Sequence, residues 1–521
     1  MRVTRRGFLG TPAAFLAANG FAQSGSKPEA ALVRLGAVAL DEAKKLKATY
    51  ADVRINRYRD QVVQLLTTPG PDSGTLNHVP AVNELQSFGF GVRVISGGTW
   101  GFAASRMVTK DEIARIAREA VAVAKANSAL QKQPIKLAPV RAYVDKWSTP
   151  HRKDPFEVSV TEKLVLLEKA NAEAKSVAKV FSARSVVVAH TEDKFFASTE
   201  GSRIQQYIVQ SYGQVSARAR DLQTRISRQR TYSPSPVTAG YEAVEEADLP
   251  GNGRRIGEEV VEHLSAPPVE PGKKDLVLMP NHLALTIHES CGHSTELDRA
   301  LGMEANLAGT SFLTTDKLGK FRVGSELMNV VGDRTLPRGM STVGYDDDGV
   351  KATSFDIFKN GIFVGYQTIR EQAHWIGEKE SRGCCYADSF DSIPFQRIPN
   401  VWLKPNPKTQ TLDDLVGMVD DGILIDGRGS WSIDQQRYNF QFGGDAFWEI
   451  KNGKKGKMIS RVAYQSRTPD FWATLAATAD QRFWVNHGLT SDGKGEPTQI
   501  NAMSHGAAPS LFRQINVLRT D

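Results

Sequence analysis

The chain has 521 residues, of which 40% are hydrophobic and 24% are charged. This composition is typical of a soluble globular protein, and the length exceeds what one hydrophobic core usually organises, so we expect two domains. The formal charge is only +7, the basic residues are scattered, and the sequence has no zinc-finger or RNA-binding signature; nucleic acid is therefore not an expected partner.

Residues 1–29 are interpreted as an export signal and leader. "TRRGFL" resembles the twin-arginine export motif, and it is followed by a short apolar stretch and by small residues suited to cleavage. That stretch is too short to span a bilayer and no later run is apolar enough, so we expect no membrane segment. The sequence thus predicts a periplasmic or secreted protein, exported by the twin-arginine pathway.

Residues 30–266 are predicted to form an N-terminal α+β domain. Alternating apolar and polar residues predict strands, with a loop at 69–80 and a tight Gly-Gly turn in "VISGGTW". Thr109 is the expected N-cap of the clearest helix. Apolar residues spaced near 3.6 predict helices at 30–48, 109–128 and 159–177.

A proline-rich linker at 267–274 separates this domain from residues 275–521. The second part is predicted to be mainly β, because short apolar alternations are divided by the turn signals "DDDG", "KNG", "DDG", "DGRG" and "KNGKKG". The three aspartates of "DDDG" lack the spaced ligands and distal glutamate of a calcium loop, so a hairpin turn is expected there. The overall prediction is an α+β fold.

The segment "HESCGH", residues 288–293, contains the residue types of a zinc hydrolase. Neutral imidazoles bind zinc without cancelling its charge, and a nearby carboxylate can take a proton from water. The surrounding residues predict a helix over 281–302, with Asn281 as its N-cap and Gly302 as its stop signal. This helix would carry His288, Glu289 and His293.

The two histidines are one residue further apart than in the ordinary H-E-x-x-H motif. On a regular α-helix, five residues separate two side chains by about 140°, too far for one small ion. A π-bulge absorbs one extra residue and would return His293 to the side of His288. Gly292 offers backbone freedom for that distortion. The alternative is two unrelated histidines, and the spacing alone leaves both interpretations open.

Beyond this motif, the chain resembles the TldD/PmbA family, known as modulators of DNA gyrase, and in particular its TldD-like metalloprotease branch. "HESCGHSTELD" followed by "GTSF" is similar to the family's H-E-x-x-x-H region, and "GFGVRVISGGTWGFAAS" to its N-terminal hairpin. "DDDGVKATSFDIFKNGIFVGY", "SRGCCYAD" and "GEPTQINAM" resemble later family segments in the same order. The resemblance covers most of the chain from about residue 30 onward.

The resemblance implies a zinc peptidase in which His288 and His293 bind the ion and Glu289 is the catalytic base. The family's third ligand is a C-terminal cysteine, which this chain lacks. In "VNHGLTSDGKGEPTQ", His487 stands where the family has that cysteine, and it is our predicted third ligand. The remaining candidates, in order of preference, are His505, Cys384 and Cys385.

Three neighbours of the motif also have expected roles. Glu296 and Asp298 resemble acidic residues of the family and are expected either to orient a ligand histidine or to form a surface salt bridge. Cys291 is expected to be a packing residue. The adjacent Cys384 and Cys385 are expected to be free, buried thiols rather than a disulfide.

The resemblance further implies unfolded or short peptides as substrates, bound in an enclosed cavity by a homodimer or by a heterodimer with a related subunit. An exported protein does not meet cytoplasmic gyrase, so we expect no gyrase role. Two alternatives remain open. One is a non-catalytic binding subunit of a peptidase complex, which the intact His288, Glu289 and His293 argue against and which the missing cysteine leaves open. The other is a metal-dependent amidohydrolase acting on non-peptide substrates.

Overall fold

The computed structural model describes residues 27–72 and 74–520, so nearly all of the predicted export signal lies outside the described residues. Predicted helices and strands both occur, which confirms the mixed α+β class. The helices are α1 Ala30–Lys45, α2 Lys110–Asn127, α3 Val160–Lys175, α4 Glu242–Glu246, α5 Leu249–Leu264, α6 Pro280–Ile287, α7 Leu297–Ala300, α8 Leu412–Gly417 and α9 Thr468–Ala473.

The strands fall into an N-terminal and a C-terminal group. The first group is β1 Tyr50–Pro69, β2 Leu76–Ser96, β3 Thr99–Ser105, β4 Val144–Ser148, β5 Val180–Ser198, β6 Arg203–Arg220 and β7 Ser227–Tyr232. The second group begins with β8 Gly272–Leu278, β9 Val330–Asp333, β10 Ser354–Lys359, β11 Ile362–Phe363, β12 Cys385–Tyr386, β13 Phe395–Gln396, β14 Asn400–Leu403 and β15 Asp421–Asp426. It continues with β16 Trp431–Ile433, β17 Asn439–Gly443, β18 Ala446–Lys451, β19 Lys454–Ile459, β20 Val462–Arg467, β21 Leu475–Thr478, β22 Val485–Lys494, β23 Gln499–Ala507 and β24 Ser510–Arg519.

Sequence patterns correctly predicted most helices and strands of the N-terminal part but misplaced some of their ends. The Thr109 hydroxyl accepts a hydrogen bond from Glu112 N at 3.4 Å, which confirms the predicted cap of α2. β2 begins at Leu76, inside the predicted loop at 69–80, because its first residues pair with the end of β1. The long β1–β2 ribbon therefore extends into a segment whose Pro and Asn residues had suggested a turn.

The N-terminal sheet has the strand order β3-β2-β1-β5-β6-β4, with β7 also paired to β6. Val53 and Ile55 pack in a cluster with residues of α1 and α2, whereas Val63 and Leu65 pack in a cluster with residues of α3 and α5. These four side chains are at odd positions of β1, so the helices cover one face of the sheet. The opposite face carries polar residues such as Arg54.

The C-terminal sheet positions the HESCGH segment. Its order is β16-β17-β20-β24-β8-β15-β18-β19, with β21 also paired to β24, so β8 lies in the interior. α6 follows β8 almost directly, and a buried strand thereby sets where the helix starts. β8 begins at Gly272, within the predicted linker 267–274, because Gly272 already pairs with Val517 of β24.

The predicted N-cap at Asn281 is wrong. Met279 is the N-cap of α6 and Pro280 is its first residue, a position that proline favours because it needs no hydrogen-bond partner there. The Asn281 side chain instead bonds to Asp426 and accepts from Gly427 N at 3.2 Å. Within the described part of the chain, every helix is too short or too polar to cross a membrane.

Candidate metal centre

The helix that carries the two histidines widens by one residue, the distortion that a metal site at this spacing requires. After α6, residues His288–Gly292 form a π-helical turn. The backbone N–H of His293 bonds to the carbonyl of His288, five residues earlier, which is the defining contact of such a turn. The two imidazole rings consequently lie on the same side, with their centroids 4.5 Å apart.

Side chains donate hydrogen bonds to the backbone carbonyl groups that the widened turn leaves without a regular helical partner. Ser294 Oγ donates to Ser290 O at 2.6 Å, and Thr295 Oγ1 donates to Cys291 O at 2.7 Å. Gln367 Nε2 donates to Gly292 O at 2.6 Å. These partners make the distortion tolerable in a buried segment. Gly292 itself has φ −62°, so the special backbone freedom expected of it is not used.

A carboxylate from a distant strand completes the group. Asp492 Oδ1 lies 3.6 Å from His288 Nε2 and 3.3 Å from His293 Nε2. Arg397 Nη2 donates to the other oxygen, Oδ2, at 3.1 Å and so turns Oδ1 toward the histidines. Burial raises the pKa of Asp492, but the two neighbouring histidines, His293 more than His288, outweigh it and hold that pKa well below its ordinary value.

Asp492 was missed by the sequence analysis because of an irregularity in β22. The register with β23 shifts between Leu489 and Asp492, which is a β-bulge. Such a bulge changes which face a side chain points to and often occurs beside functional sites. The signal in the sequence is slight: one acidic residue before Gly493 in a Thr/Ser/Gly-rich segment.

His505 determines which nitrogen of His288 is available for an ion. His505 Nδ1 lies 3.0 Å from Val401 O and must donate, since a carbonyl only accepts. Burial lowers the pKa of His505 well below its ordinary value, so the ring is neutral and its Nε2 is an acceptor. His288 Nδ1 then donates to His505 Nε2 at 2.9 Å. With Nδ1 as its donor to His505, the His288 ring directs Nε2 toward Asp492.

His293 is oriented by a carboxylate, as one of the two interpretations of Glu296 proposed. His293 Nδ1 lies 2.8 Å from Glu296 Oε2, and Arg299 donates to the same oxygen at 2.9 Å. Burial raises the pKa of Glu296, but Lys494 and Arg299 outweigh it and keep that pKa well below its ordinary value. The ionised carboxylate accepts from Nδ1–H, leaving Nε2 of His293 for an ion.

Asp298 has a different role from Glu296. Lys494 Nζ, which is fully buried, donates to Asp298 Oδ1 at 2.9 Å and to Glu296 Oε1 at 2.8 Å. Burial raises the pKa of Asp298. Asp298 thus helps to hold Lys494 in place rather than contacting a histidine itself.

Glu289 lies beside the histidines and is held by an arginine that the sequence analysis did not identify. Arg437 Nη1 donates to Glu289 Oε2 at 3.0 Å. Arg437 adopts φ +63°, an uncommon conformation for a residue with a side chain, and Thr468 bonds to its carbonyl at 2.7 Å. The strained backbone places the guanidinium against the carboxylate of Glu289.

The structure places His487 in the same cavity but not in the three-residue group. The cavity has a volume of 860 Å³, and its lining includes His288, Glu289, His293, His487 and Asp492. Among the described residues, the group able to hold a metal consists of the two motif histidines and Asp492, whose ligand atoms all lie within 4.8 Å of one another. Burial, reinforced by the charge of a neighbouring arginine, lowers the pKa of His487 to about 4, so its ring is neutral.

The other candidate ligands lie elsewhere. His505 contacts His288 rather than joining the group. All three cysteines are free and buried, as expected. Cys291 and Cys384 pack in the C-terminal hydrophobic core, and burial raises the pKa of each thiol. They serve packing.

The separations of Asp492 Oδ1 from the two imidazole nitrogens fit a zinc ion. In a tetrahedral site with bonds of about 2.0–2.2 Å, ligand atoms lie about 3.4 Å apart. The separations of 3.6 Å and 3.3 Å from Asp492 Oδ1 to the two imidazole nitrogens agree with that geometry. Two histidines and a carboxylate are also a known catalytic zinc set, with the fourth position left for water or substrate.

Comparison with protein-family models agrees with a metal-binding site in this cavity. Residues 271–517 match the model described as the PmbA/TldA metallopeptidase C-terminal domain. Residues 77–124 match domain 1 of the same metallopeptidases, and residues 153–265 match their central domain. The three matches follow one another in order and together span most of the chain.

Curated relatives and solved structures agree. A metalloprotease of Methanothermobacter thermautotrophicus is 27% identical over 82% of this chain and 87% of its own. A zinc metalloprotease TldD homolog of Saccharolobus solfataricus is 22% identical over 82% of this chain and 88% of its own. TldE from Thermococcus kodakarensis has a TM-score of 0.68 at 16% identity, covering 94% and 99%. A proposed modulator of DNA gyrase from Bacteroides thetaiotaomicron has a TM-score of 0.70 at 15% identity, covering 94% and 98%.

Proposed function

The chain belongs to the PmbA/TldD metallopeptidase family, and from this premise we propose that it is a zinc-dependent peptidase that hydrolyses unfolded or short peptides. The observation that carries the proposal is the convergence of His288 Nε2 and His293 Nε2 on Asp492 Oδ1, beside the Glu289 carboxylate. The cavity of 860 Å³ has room for a short extended peptide but not for a folded domain.

Each residue has a defined task in this proposal. His288 and His293 would hold zinc through Nε2, and Asp492 through Oδ1. When bound, zinc supplies Lewis acidity, which polarises the scissile carbonyl and makes water more acidic. Glu289 takes a proton from the attacking water at a carboxylate oxygen and passes it to the leaving amine nitrogen. Arg437 keeps that carboxylate oriented through its hydrogen bond to Oε2.

The test combines metal analysis with peptide hydrolysis. We expect the purified protein to contain about one zinc per chain and to cleave casein or unstructured peptides until a chelator is added. Glu289→Gln should keep its zinc and lose about 10²- to 10⁴-fold of activity, the usual contribution of general acid–base catalysis. Glu326→Gln, at an exposed position away from the cavity, is the matched control and should retain full activity.

The same measurements separate the competing functions. Zinc binding without turnover of any peptide or amide would support a non-catalytic binding subunit. Turnover confined to non-peptide amides would support an amidohydrolase. A Glu289→Gln variant with wild-type activity would contradict the assigned base.

Assembly and location belong to the same proposal. The fold similarity to TldE supports a homodimer or pairing with a related subunit. The twin-arginine-like segment within residues 1–29 supports export to the periplasm or medium. Light scattering of the purified protein and N-terminal sequencing of the exported form test these two points.

A further inference from the structure

One arginine on the wall of the metal-site cavity forms no hydrogen bond or ion pair with the part of the chain that the structure describes. Arg428 lies between β15 and β16, lines the same cavity as His288 and Asp492, and is exposed to that space. Within residues 27–72 and 74–520, its guanidinium forms neither a hydrogen bond nor an ion pair. Asp445 also lines the cavity and favours this charge, but it accepts a hydrogen bond from Gly429 N at 3.1 Å instead.

Neighbouring arginines differ from Arg428 in this respect. Arg437 donates to Glu289 at 3.0 Å, and Arg397 donates to Asp492 at 3.1 Å. Partial burial in the cavity wall lowers the pKa of the Arg428 guanidinium and outweighs the favourable charge of Asp445. A cation in such a position is stabilised by an anion that enters the cavity.

We propose that Arg428 binds a carboxylate of the peptide substrate and thereby selects peptides that carry one near the cleaved bond. The inference rests on the proposed peptidase function and specifies its substrate class. The planar donor fork of a guanidinium matches the two oxygens of a carboxylate, whereas a lysine offers only a point charge. The carboxylate comes either from the C-terminus of the peptide or from an acidic side chain.

The test compares four unstructured peptides of one core sequence on the zinc-loaded enzyme. One has a free C-terminus, one is amidated, and two amidated versions carry a single Glu or Gln near the cleaved bond. We expect at least one carboxylate-bearing peptide to show kcat/KM about 10- to 100-fold above its neutral match, mainly through a lower KM. An advantage of the free acid identifies the C-terminus, and an advantage of Glu over Gln identifies a side chain.

The variants assign the preference to Arg428. Arg428→Gln should remove the advantage while leaving kcat/KM on the neutral peptide unchanged, and Arg428→Lys should retain part of it. Arg254→Gln, at a solvent-exposed arginine on α5, should behave as wild type. Equal rates on charged and neutral peptides, or a preference that survives Arg428→Gln, would overturn the inference. A fall in kcat on all four peptides would also overturn it, by indicating a transition-state role.

Binding measurements keep this inference separate from the peptidase proposal. Fluorescence anisotropy with the four labelled peptides and the Glu289→Gln protein requires no turnover. Tighter binding of the carboxylate peptides supports the inference if it disappears when Arg428→Gln is combined with Glu289→Gln. This result counts even if no peptide is hydrolysed. Equal Kd values for all four peptides contradict it even if the enzyme is an active peptidase.

Discussion

At the scale of single residues, the site depends on which nitrogen of each imidazole carries hydrogen. His505 and Glu296 each accept from an Nδ1–H group, of His288 and His293 respectively, and each thereby leaves an Nε2 lone pair facing Asp492. Partners of this kind commonly contribute 10- to 100-fold to metal affinity. The donor geometry is thus prepared by residues that do not themselves touch the ion.

The role assigned to His505 predicts a measurable change in zinc affinity. His505→Ala removes the acceptor for His288 Nδ1–H and should weaken zinc binding about 10- to 100-fold in competition titrations with a chromogenic chelator. His505→Gln, which offers an amide oxygen, should retain more of the affinity. Unchanged affinity in the alanine variant would be incompatible with this role.

The third ligand can be decided by a pair of substitutions. Asp492→Ala should lose stoichiometric zinc, because it removes one of the three converging atoms. His487→Ala should keep zinc, since its ring lines the cavity outside that group. Mass-spectrometric metal analysis of the two proteins is sufficient. Loss of zinc from the His487 variant alone would favour the ligand set inferred from sequence.

At the scale of elements, two local irregularities build the site. The π-turn brings His288 and His293 together, and the bulge in β22 turns Asp492 toward them. Each inserts one residue into a regular element. Ser294 and Gln367 donate to carbonyl groups of the turn, and Arg397 donates to the carbonyl of Asp492 at the bulge. A regular helix and a regular strand with the same residues would not bring these atoms together.

The π-turn should survive loss of its glycine. A Cβ at Gly292 would lie 3.4 Å from Ile398 Cδ1, an ordinary contact, and φ is already helical. Gly292→Ala should therefore keep its zinc and change the unfolding free energy by less than about 1 kcal/mol in urea titrations. Gly101→Ala is the contrasting variant. Its Cβ would lie 2.1 Å from Ala120 O of α2, so this substitution should strongly lower the free energy of unfolding. Zinc loss in Gly292→Ala would show that the turn needs glycine after all.

At the scale of the whole molecule, the polar face of the N-terminal sheet is buried against the C-terminal part. Arg93 bonds to Asp52 and to Asp348, each at 2.7 Å, and Lys194 bonds to Asp347 at 2.8 Å. The "DDDG" segment forms the predicted turn, closed by the Tyr345–Lys351 bridge, and its carboxylates also join the two halves of the protein. We therefore expect them to unfold together.

Removing one charge from this contact should be costly. Asp347 is 1% exposed, and Asp347→Ala removes the carboxylate beside Arg54 and leaves Lys194 with Glu192 as its remaining acidic partner. We expect a loss of about 3–5 kcal/mol in the free energy of unfolding. Asp421→Ala is the control, since its side chain is 47% exposed and its partner Lys451 is 51% exposed, and it should cost less than about 1 kcal/mol. Similar losses in both variants would refute the special role of the buried contact.

The contribution of Asp347 should also depend on pH. Burial raises its pKa, but Lys194 and Arg54 outweigh that effect and hold the pKa below its ordinary value. For such a depressed carboxyl pKa, the stabilisation is fully present above the unfolded value of about 3.9 and is lost as the pH falls below it. The stability difference between wild type and Asp347→Ala should accordingly shrink in acid, as urea titrations between pH 7 and pH 3 would reveal.

The sequence by itself determined what depends on neighbouring residues. Periodicity predicted most helices and strands of the N-terminal part, and Thr109 marked the start of α2. The five-residue spacing of His288 and His293 required a widened turn for any metal site, and the turn is present. Glu296 lies three residues beyond His293, a spacing at which the two side chains can meet across one helical turn. All of these contacts are local and follow from helix geometry.

Only the tertiary structure decided which distant residues join them. Asp492 replaced His487 in the converging group because a bulge reversed the direction of side chains along β22. Arg437 reached Glu289 through an unusual backbone conformation. Alternation in β1 is typical of a strand with one solvent-exposed face, yet the polar face is buried against charged residues from a segment far along the chain. Contacts between remote segments depend on strand register, and one inserted residue changes that register without leaving a clear trace in local sequence pattern.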